Sequence, residues 1–327
     1  MRRREFITLL GGAATWPLPL SAQQDERVRR IGVLINFAQT DREGQASIAA
    51  FVTKLQGLGW IDGHNLRIDY RWSAGESERI KVAAVELVRS EPDVIAVANS
   101  PALGELRRLT STIPIVFMQV GDPVDAGFVT NLARPGGNIT GFSPFEPDMG
   151  GKWLGVLKEV APNLRRAAVL FGPDAPIDRA MLRVAEAVAP SLGVTLNAVN
   201  VLDGNVERTI ADFSNERDGG LLVLPHRYTL ANRGSIIILA AGHRLPAVYP
   251  FRYFAAEGGL LAYGPDQIDQ WRGAATYVDR ILRGEKPGDL PVQAPTKFEL
   301  VINMKTAKAL GLSIPPALPL RADEVIE

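Results

Sequence analysis

The sequence has no cysteine in 327 residues. Disulfides, thiolate nucleophiles and cysteine-ligated metals are therefore excluded, as is a lipid anchor carried on an amino-terminal cysteine. Histidine is scarce, and His64, His226 and His243 lie too far apart for metal-ligand spacing. Neither a metal nor another cofactor is expected. Formal net charge is zero, so no field of one sign favours nucleic acid or an anionic membrane as partner.

What is present first is an unusual start. "MRRREFITLLGGAATWPLPLSAQQ" has a basic head (Arg2, Arg3, Arg4), a short apolar stretch rich in Gly and Ala, and a small residue, Ala22, before Gln23. This is the layout of an export signal, with a cut expected after Ala22. The apolar stretch is too short to span a bilayer. Arg3-Arg4-Glu5-Phe6-Ile7 looks like the twin-arginine class of signal. Residues 1–22 are set aside from the fold, and the remainder is expected in the periplasm as a soluble monomer.

From "RIGVLINF" onward, short apolar runs alternate with helical periodicity. Ile48, Phe51, Val52, Leu55 and Leu58 recur at helical spacing, as do Ile80, Ala84, Leu87 and Val88. "LRIDYRW", "DVIAVA" and "PIVFMQV" read as further strands. The pattern restarts at "RAAVLFG" and continues through "VTLNAVNV", "GGLLVLP", "PAVYP" and "GLLAYGP". Strands alternating with helices predict parallel βαβ units. The restart predicts two α/β lobes without a residue-level repeat.

Several motifs carry less than they first suggest. Gly57, Gly59 and Gly63 follow a helix and miss dinucleotide spacing by one residue, so they read as a turn. "GFSPF" lacks the second glycine of a nucleophile elbow. Glu76 and Glu78 fall at a helix start, where acids complement the dipole. Asn138-Ile139-Thr140 has the form of a glycosylation acceptor, a tripeptide frequent by chance. In "LARPGGNITGFS", Arg134-Pro135 is expected to end the last helix of the first lobe and Gly136-Gly137 to turn the chain. Gly141 is expected to act as a hinge, such that Gly141→Val alters closure with each lobe folded.

Ligands of open α/β sheets bind beyond the carboxyl ends of the strands. Those ends carry Asn36-Phe37, Asn99-Ser100-Pro101, Gln119 to Asp122, Phe171-Gly172-Pro173, Pro225-His226 and Tyr249. Phe37, Phe142, Phe145, Tyr249, Phe251, Tyr253 and Tyr263 supply flat surfaces nearby. Asp122 and Asp266 could receive an ammonium group. Ser100 and Ser143, with adjacent backbone N–H groups, could hold a carboxylate.

"GDPVDAGFVTNLARPGGNITGFS", "RLPAVYPFRYFAAEGGLLAYGPD" and "YVDRILRGEKPGDLPVQAPTKFELVINMKTAKALGLSIPP" together resemble the ABC-transporter solute-binding proteins of tryptophan/tyrosine type. The resemblance covers nearly the whole chain after the signal. It implies a type I periplasmic-binding-protein fold: two Rossmann-like lobes with parallel sheets, joined by a three-strand hinge. The first lobe would hold 31–141 and 265–290, the second 142–264 and 291–327. It further implies a cleft that closes on a small organic solute, amino-acid-like or aromatic, and a closed form that docks on an inner-membrane ABC permease.

Carried onto this chain, the ligand-binding residues implied are Asn36, Phe37, Asn99, Ser100, Gln119, Asp122, Ser143, Tyr249, Tyr263 and Asp266. Many relatives read Gly-Thr-Pro where this chain has Asn99-Ser100-Pro101, which adds a donor and an acceptor. No nucleophile–base constellation points to an enzyme. The same fold also serves as the ligand-sensing lobe of membrane receptors, which stands as the alternative, with a periplasmic enzyme behind it.

Overall fold

The computed structural model describes residues 27–327. The export signal assigned to residues 1–22 lies outside the described residues. Early strands and helices are β1 (Arg29–Ile35), α1 (Arg42–Gly57), β2 (Leu66–Trp72), α2 (Ser77–Arg89), β3 (Val94–Ala98), α3 (Ser100–Leu109), β4 (Ile115–Met118) and β5 (Ile139–Phe142). They continue with α4 (Met149–Val160), β6 (Arg166–Phe171), α5 (Pro176–Val188), β7 (Thr195–Asn200), α6 (Val206–Ser214), β8 (Gly219–Val223), α7 (Arg227–Ala231), α8 (Arg233–Gly242), β9 (Ala247–Tyr249) and α9 (Arg252–Ala256). The chain ends through β10 (Leu261–Pro265), α10 (Gln267–Leu282), β11 (Phe298–Asn303), α11 (Met304–Ala309), α12 (Ala317–Arg321) and β12 (Glu324–Ile326).

Two sheets form. The first runs β2-β1-β3-β4-β5 and is parallel throughout. The second runs β12-β11-β10-β9-β8-β6-β7. Its strands are parallel except at β10–β11, an antiparallel pair that alternation of strand and helix did not suggest. Helices on both faces explain why β3 and β4 are apolar at every position: no face of theirs meets water.

In each sheet the chain reverses its winding beside the first strand laid down. In the first sheet that point lies between β1 and β3, and in the second between β6 and β8. Crevices open at the carboxyl ends of strands at such points. The topology thus aims the ends of β1 and β3 at one wall of a cleft and those of β6 and β8 at the other.

Three crossovers join the lobes. The first leaves β5 at Ser143. The second leaves β10 at Asp266 and sends α10 back across the first sheet, against α1, β3, β4 and β5. Phe51 of α1 meets Trp271 of α10 edge-on at 5.9 Å, and Trp60 Nε1 donates to Asp279 at 2.8 Å. The third crossover returns to β11. The crossovers are stitched together: Ser143 N donates to Gln293 O at 2.9 Å, Gln293 N to Gly141 O at 2.9 Å, and Asp266 N to Lys297 O at 3.1 Å.

Two expectations need correction. No helix ends at Arg134-Pro135. Pro123, Gly127 and Pro135 break the segment into turns, with Gly127, Gly136 and Gly137 at positive φ. Gly141, expected as a hinge at which valine leaves each lobe folded, has no room for that side chain. It lies within β5, opposite Phe117 of β4, and a Cβ there would stand 2.1 Å from the Phe117 carbonyl oxygen. The glycine permits close approach of two strands, so a side chain at that position would disrupt the first sheet.

Candidate functional site

The cleft between the lobes holds a cavity of about 570 Å³. One wall comes from the first lobe: Asn36 and Phe37 after β1, Asn99 and Ser100 after β3, and Gln119 and Gly121 after β4. The facing wall comes from the second lobe: Asp174 to Ile177 after β6, Pro225 to Arg227 after β8, and Arg233 and Phe251. Phe145, just past the first crossover, closes one side.

Local backbone explains the polar groups of the first wall. Asn99 has φ 85° and Gln119 φ 56°, a region few non-glycine residues occupy. Both follow a buried strand directly, so the chain turns sharply there and lifts its side chains out of the sheet. The Asn99 side chain caps α3, accepting from Ala102 N at 2.8 Å. Asparagine meets this torsional demand better than most residues, since it tolerates positive φ. Two atoms of this wall, Asn36 Oδ1 and Gln119 Nε2, are buried without a hydrogen-bond partner. An unpaired polar atom costs about 1–3 kcal/mol, so the wall presents one acceptor and one donor ready for a polar guest.

The second wall is charged. His226 is buried, and its Nδ1 accepts from Tyr228 N at 3.2 Å, which puts the proton on Nε2. Nε2 donates to Asp174 Oδ1 at 2.9 Å, and Arg227 pairs with Asp174 Oδ2. Burial holds His226 below its ordinary pKa and outweighs the pull of Asp174. Burial alone would raise Asp174, but the Arg227 hydrogen bond and the nearby His226 and Arg227 leave it lowered. Gly172 makes room for the imidazole: a Cβ there would lie 2.2 Å from the ring. Beneath the wall, Asp178 is fully buried, and desolvation pushes its carboxyl up to about 7 despite a hydrogen bond from Gly172 N.

Contacts also span the cleft. Arg233 of α8 donates to Asp41 Oδ2, before α1, at 2.9 Å, and it also grips Glu257 at 2.9 Å. Its guanidinium lies 5.2 Å over the Tyr253 ring, and Phe37 meets that ring edge-on at 6.4 Å. The lobes are therefore closed on one another.

Five expected ligand residues line the cavity: Asn36, Phe37, Asn99, Ser100 and Gln119. The other five do not. Asp122 turns back on its own loop and accepts from Asp125 N. Ser143 is engaged in the crossover ladder. Tyr249 is fully buried and stacks on Phe254 at 5.0 Å, in the core of the second lobe. Tyr263 packs near Phe298, and its carbonyl accepts from Trp153 Nε1 at 2.6 Å. Asp266 caps α10 and pairs with Lys297 at 2.7 Å.

Asp41, Phe128, Asp174, Ile177 and Arg233 line the cavity without being among the expected residues. Asp41 could have been found as a helix cap ahead of α1. Phe145, His226 and Phe251, at or near strand ends by sequence, line the cavity as well.

Two doubly wound lobes, three crossovers and a cavity at both switch points define a type I periplasmic-binding-protein fold. A sequence profile of the family described as ABC transporter substrate binding protein matches residues 43–326. The chain belongs to that family.

A curated relative, a tyrosine-binding protein of Clostridioides difficile (strain R20291), is 25% identical over 272 residues, covering 80% of this chain and 75% of the relative. A solved conserved domain protein from Vibrio cholerae O1 biovar El Tor str. N16961 superposes with a TM-score of 0.83 at 26% identity, over 91% of this chain and 99% of that one. An ABC domain from Streptococcus pneumonia in complex with L-Trp gives the same TM-score, 0.83, at 23% identity, again over 91% and 99%.

Proposed function

We propose that this chain is the exported solute-binding component of an ABC importer and that it carries an aromatic or amino-acid-like solute. The observation that carries this reading is the pair of unpartnered buried atoms, Asn36 Oδ1 and Gln119 Nε2, in a cavity walled by both lobes. A solute with a donor and an acceptor at one end satisfies both. Its ammonium group would donate to Asn36. Its carboxylate would accept from Gln119, from Ser100 and from the amino end of α3. Phe37, Phe128, Phe145 and Phe251 would flank an aromatic or apolar side chain. The relatives named for tyrosine and solved with L-Trp support this solute class.

Binding and not turnover would be the working step. The solute touches both walls only when the lobes are together, so it stabilises the closed state by that difference in affinity. The moving units would be 31–141 with 265–290 and 142–264 with 291–327, rotating about the crossovers. The closed monomer would then present both lobes to an inner-membrane permease. A thermal-shift panel of free amino acids and aromatic acids tests the solute class. Tryptophan or tyrosine should raise the unfolding midpoint, because a ligand of the native state stabilises it by mass action. A panel in which none of these compounds moves the midpoint would reject the assignment.

A further inference from the structure

A second pocket, of about 320 Å³, lies on the crossover side of the molecule, away from the cleft residues. Phe142 and Gln293 to Thr296 form one wall, the first three turns of α10 another, and Lys54 of α1 stands at the edge. The Gln270 side chain is 95% buried and lines this pocket. Its Nε2 points to the Ser143 carbonyl oxygen at 3.5 Å, which fixes the amide orientation, because the reverse would face two acceptors. Its Oε1 is then a buried acceptor with no partner. Asp269 lines the same wall, so this side of the pocket asks for hydrogen-bond donors. Lys54, on α1, brings positive charge to the edge from a different element, and Arg272 stands one helical turn beyond Asp269 on α10.

We infer that this pocket binds a small zwitterion. Its ammonium group donates to Gln270 Oε1 and Asp269, and its carboxylate lies toward Lys54. The site goes beyond the cleft and does not depend on what the cleft carries. Because two crossovers line it, an occupant touches the segments that must rotate when the lobes move.

The test is a titration of the ¹⁵N-labelled protein with glycine, using acetate and methylammonium as half-ligands. Glycine should shift the amides of Gly273, Thr276, Ala294 and Thr296 in a saturable manner, at lower concentration than either half-ligand. Gln270→Leu should abolish those shifts. Ala294→Trp, an exposed lining position that leaves the Gln270 amide in place, should abolish them by filling the pocket. Asn36→Leu, in the cleft, should leave them unchanged. Absence of saturable shifts at these amides, or shifts that survive both Gln270→Leu and Ala294→Trp, would overturn the inference. So would shifts lost only in Asn36→Leu, since they would then report the cleft.

Discussion

Gly121 offers a direct way to separate folding from closure. It follows β4 on the first wall, and a Cβ there would stand 2.6 Å from Ile177 Cγ2 and 2.8 Å from Ile177 Cβ on the second. Ile177 Cβ is the rigid base of its side chain, so rotation cannot clear the clash. The backbone at Gly121 is outside the left-handed region, so its own lobe tolerates a side chain. Gly121→Val should therefore burden only the closed state. Overpacking of this kind costs about 1–3 kcal/mol, which would weaken apparent solute affinity about 5- to 150-fold. Calorimetry gives the affinity, and small-angle scattering gives the contraction on adding solute. Gly121→Val should bind weakly and contract less, with an unchanged unfolding midpoint in the absence of solute. Ile177→Ala in the same chain should restore both. Wild-type affinity and full contraction in Gly121→Val alone would show that Gly121 and Ile177 do not meet when the lobes close.

Other consequences follow from the same geometry. Asn36→Leu removes a buried unpaired acceptor, so the solute-free protein should be at least as stable while solute binding weakens about 10- to 150-fold, as loss of one hydrogen bond from a charged group requires; thermal shift and calorimetry read the two effects. Gly141→Val should destabilise the protein by about 3 kcal/mol or more, because its Cβ collides with the Phe117 backbone; urea unfolding would reveal the loss, and a stable variant would restore the hinge reading. Asp178 predicts a pH effect. Its folded carboxyl is raised from 3.8 to about 7, so between these values the native state keeps a proton that the unfolded chain has released. That stability is full below the lower value and is lost as pH rises through the upper one. Wild type should thus lose about 3 kcal/mol relative to Asp178→Asn between pH 4 and pH 7; parallel slopes for the two proteins in urea titrations would contradict the raised carboxyl.

Much of the fold was legible because its strands are short, apolar and spaced by helical periodicity. Unbroken apolar runs such as "DVIAVA" and "PIVFMQV" are what strands covered on both faces must look like. The antiparallel β11 was harder to see, since "KFELVIN" carries no signal of direction. Strand ends gave five cavity residues because the switch points follow from chain order, and Asn36, Asn99 and Gln119 sit immediately after β1, β3 and β4.

The failures have physical causes. Tyr249 and Tyr263 are strand residues like those expected in a pocket, yet the pleat turns them into the second lobe. Asp122 and Asp266 satisfy nearby backbone amides, a use that sequence cannot distinguish from ligand binding. Arg233 reaches Asp41 across 192 positions of chain, a pairing that exists only once the two lobes meet.

The proposed solute lies in the cavity between the lobes and is held there through Asn36 and Gln119. Calorimetric titration of the protein, unfolded and refolded to remove any carried solute, with L-tryptophan and L-tyrosine tests it most directly. Saturable binding of at least one of them at one site per chain is expected, weakened by Asn36→Leu and by Gln119→Ala. Absence of binding to both, or binding indifferent to both substitutions, would contradict it.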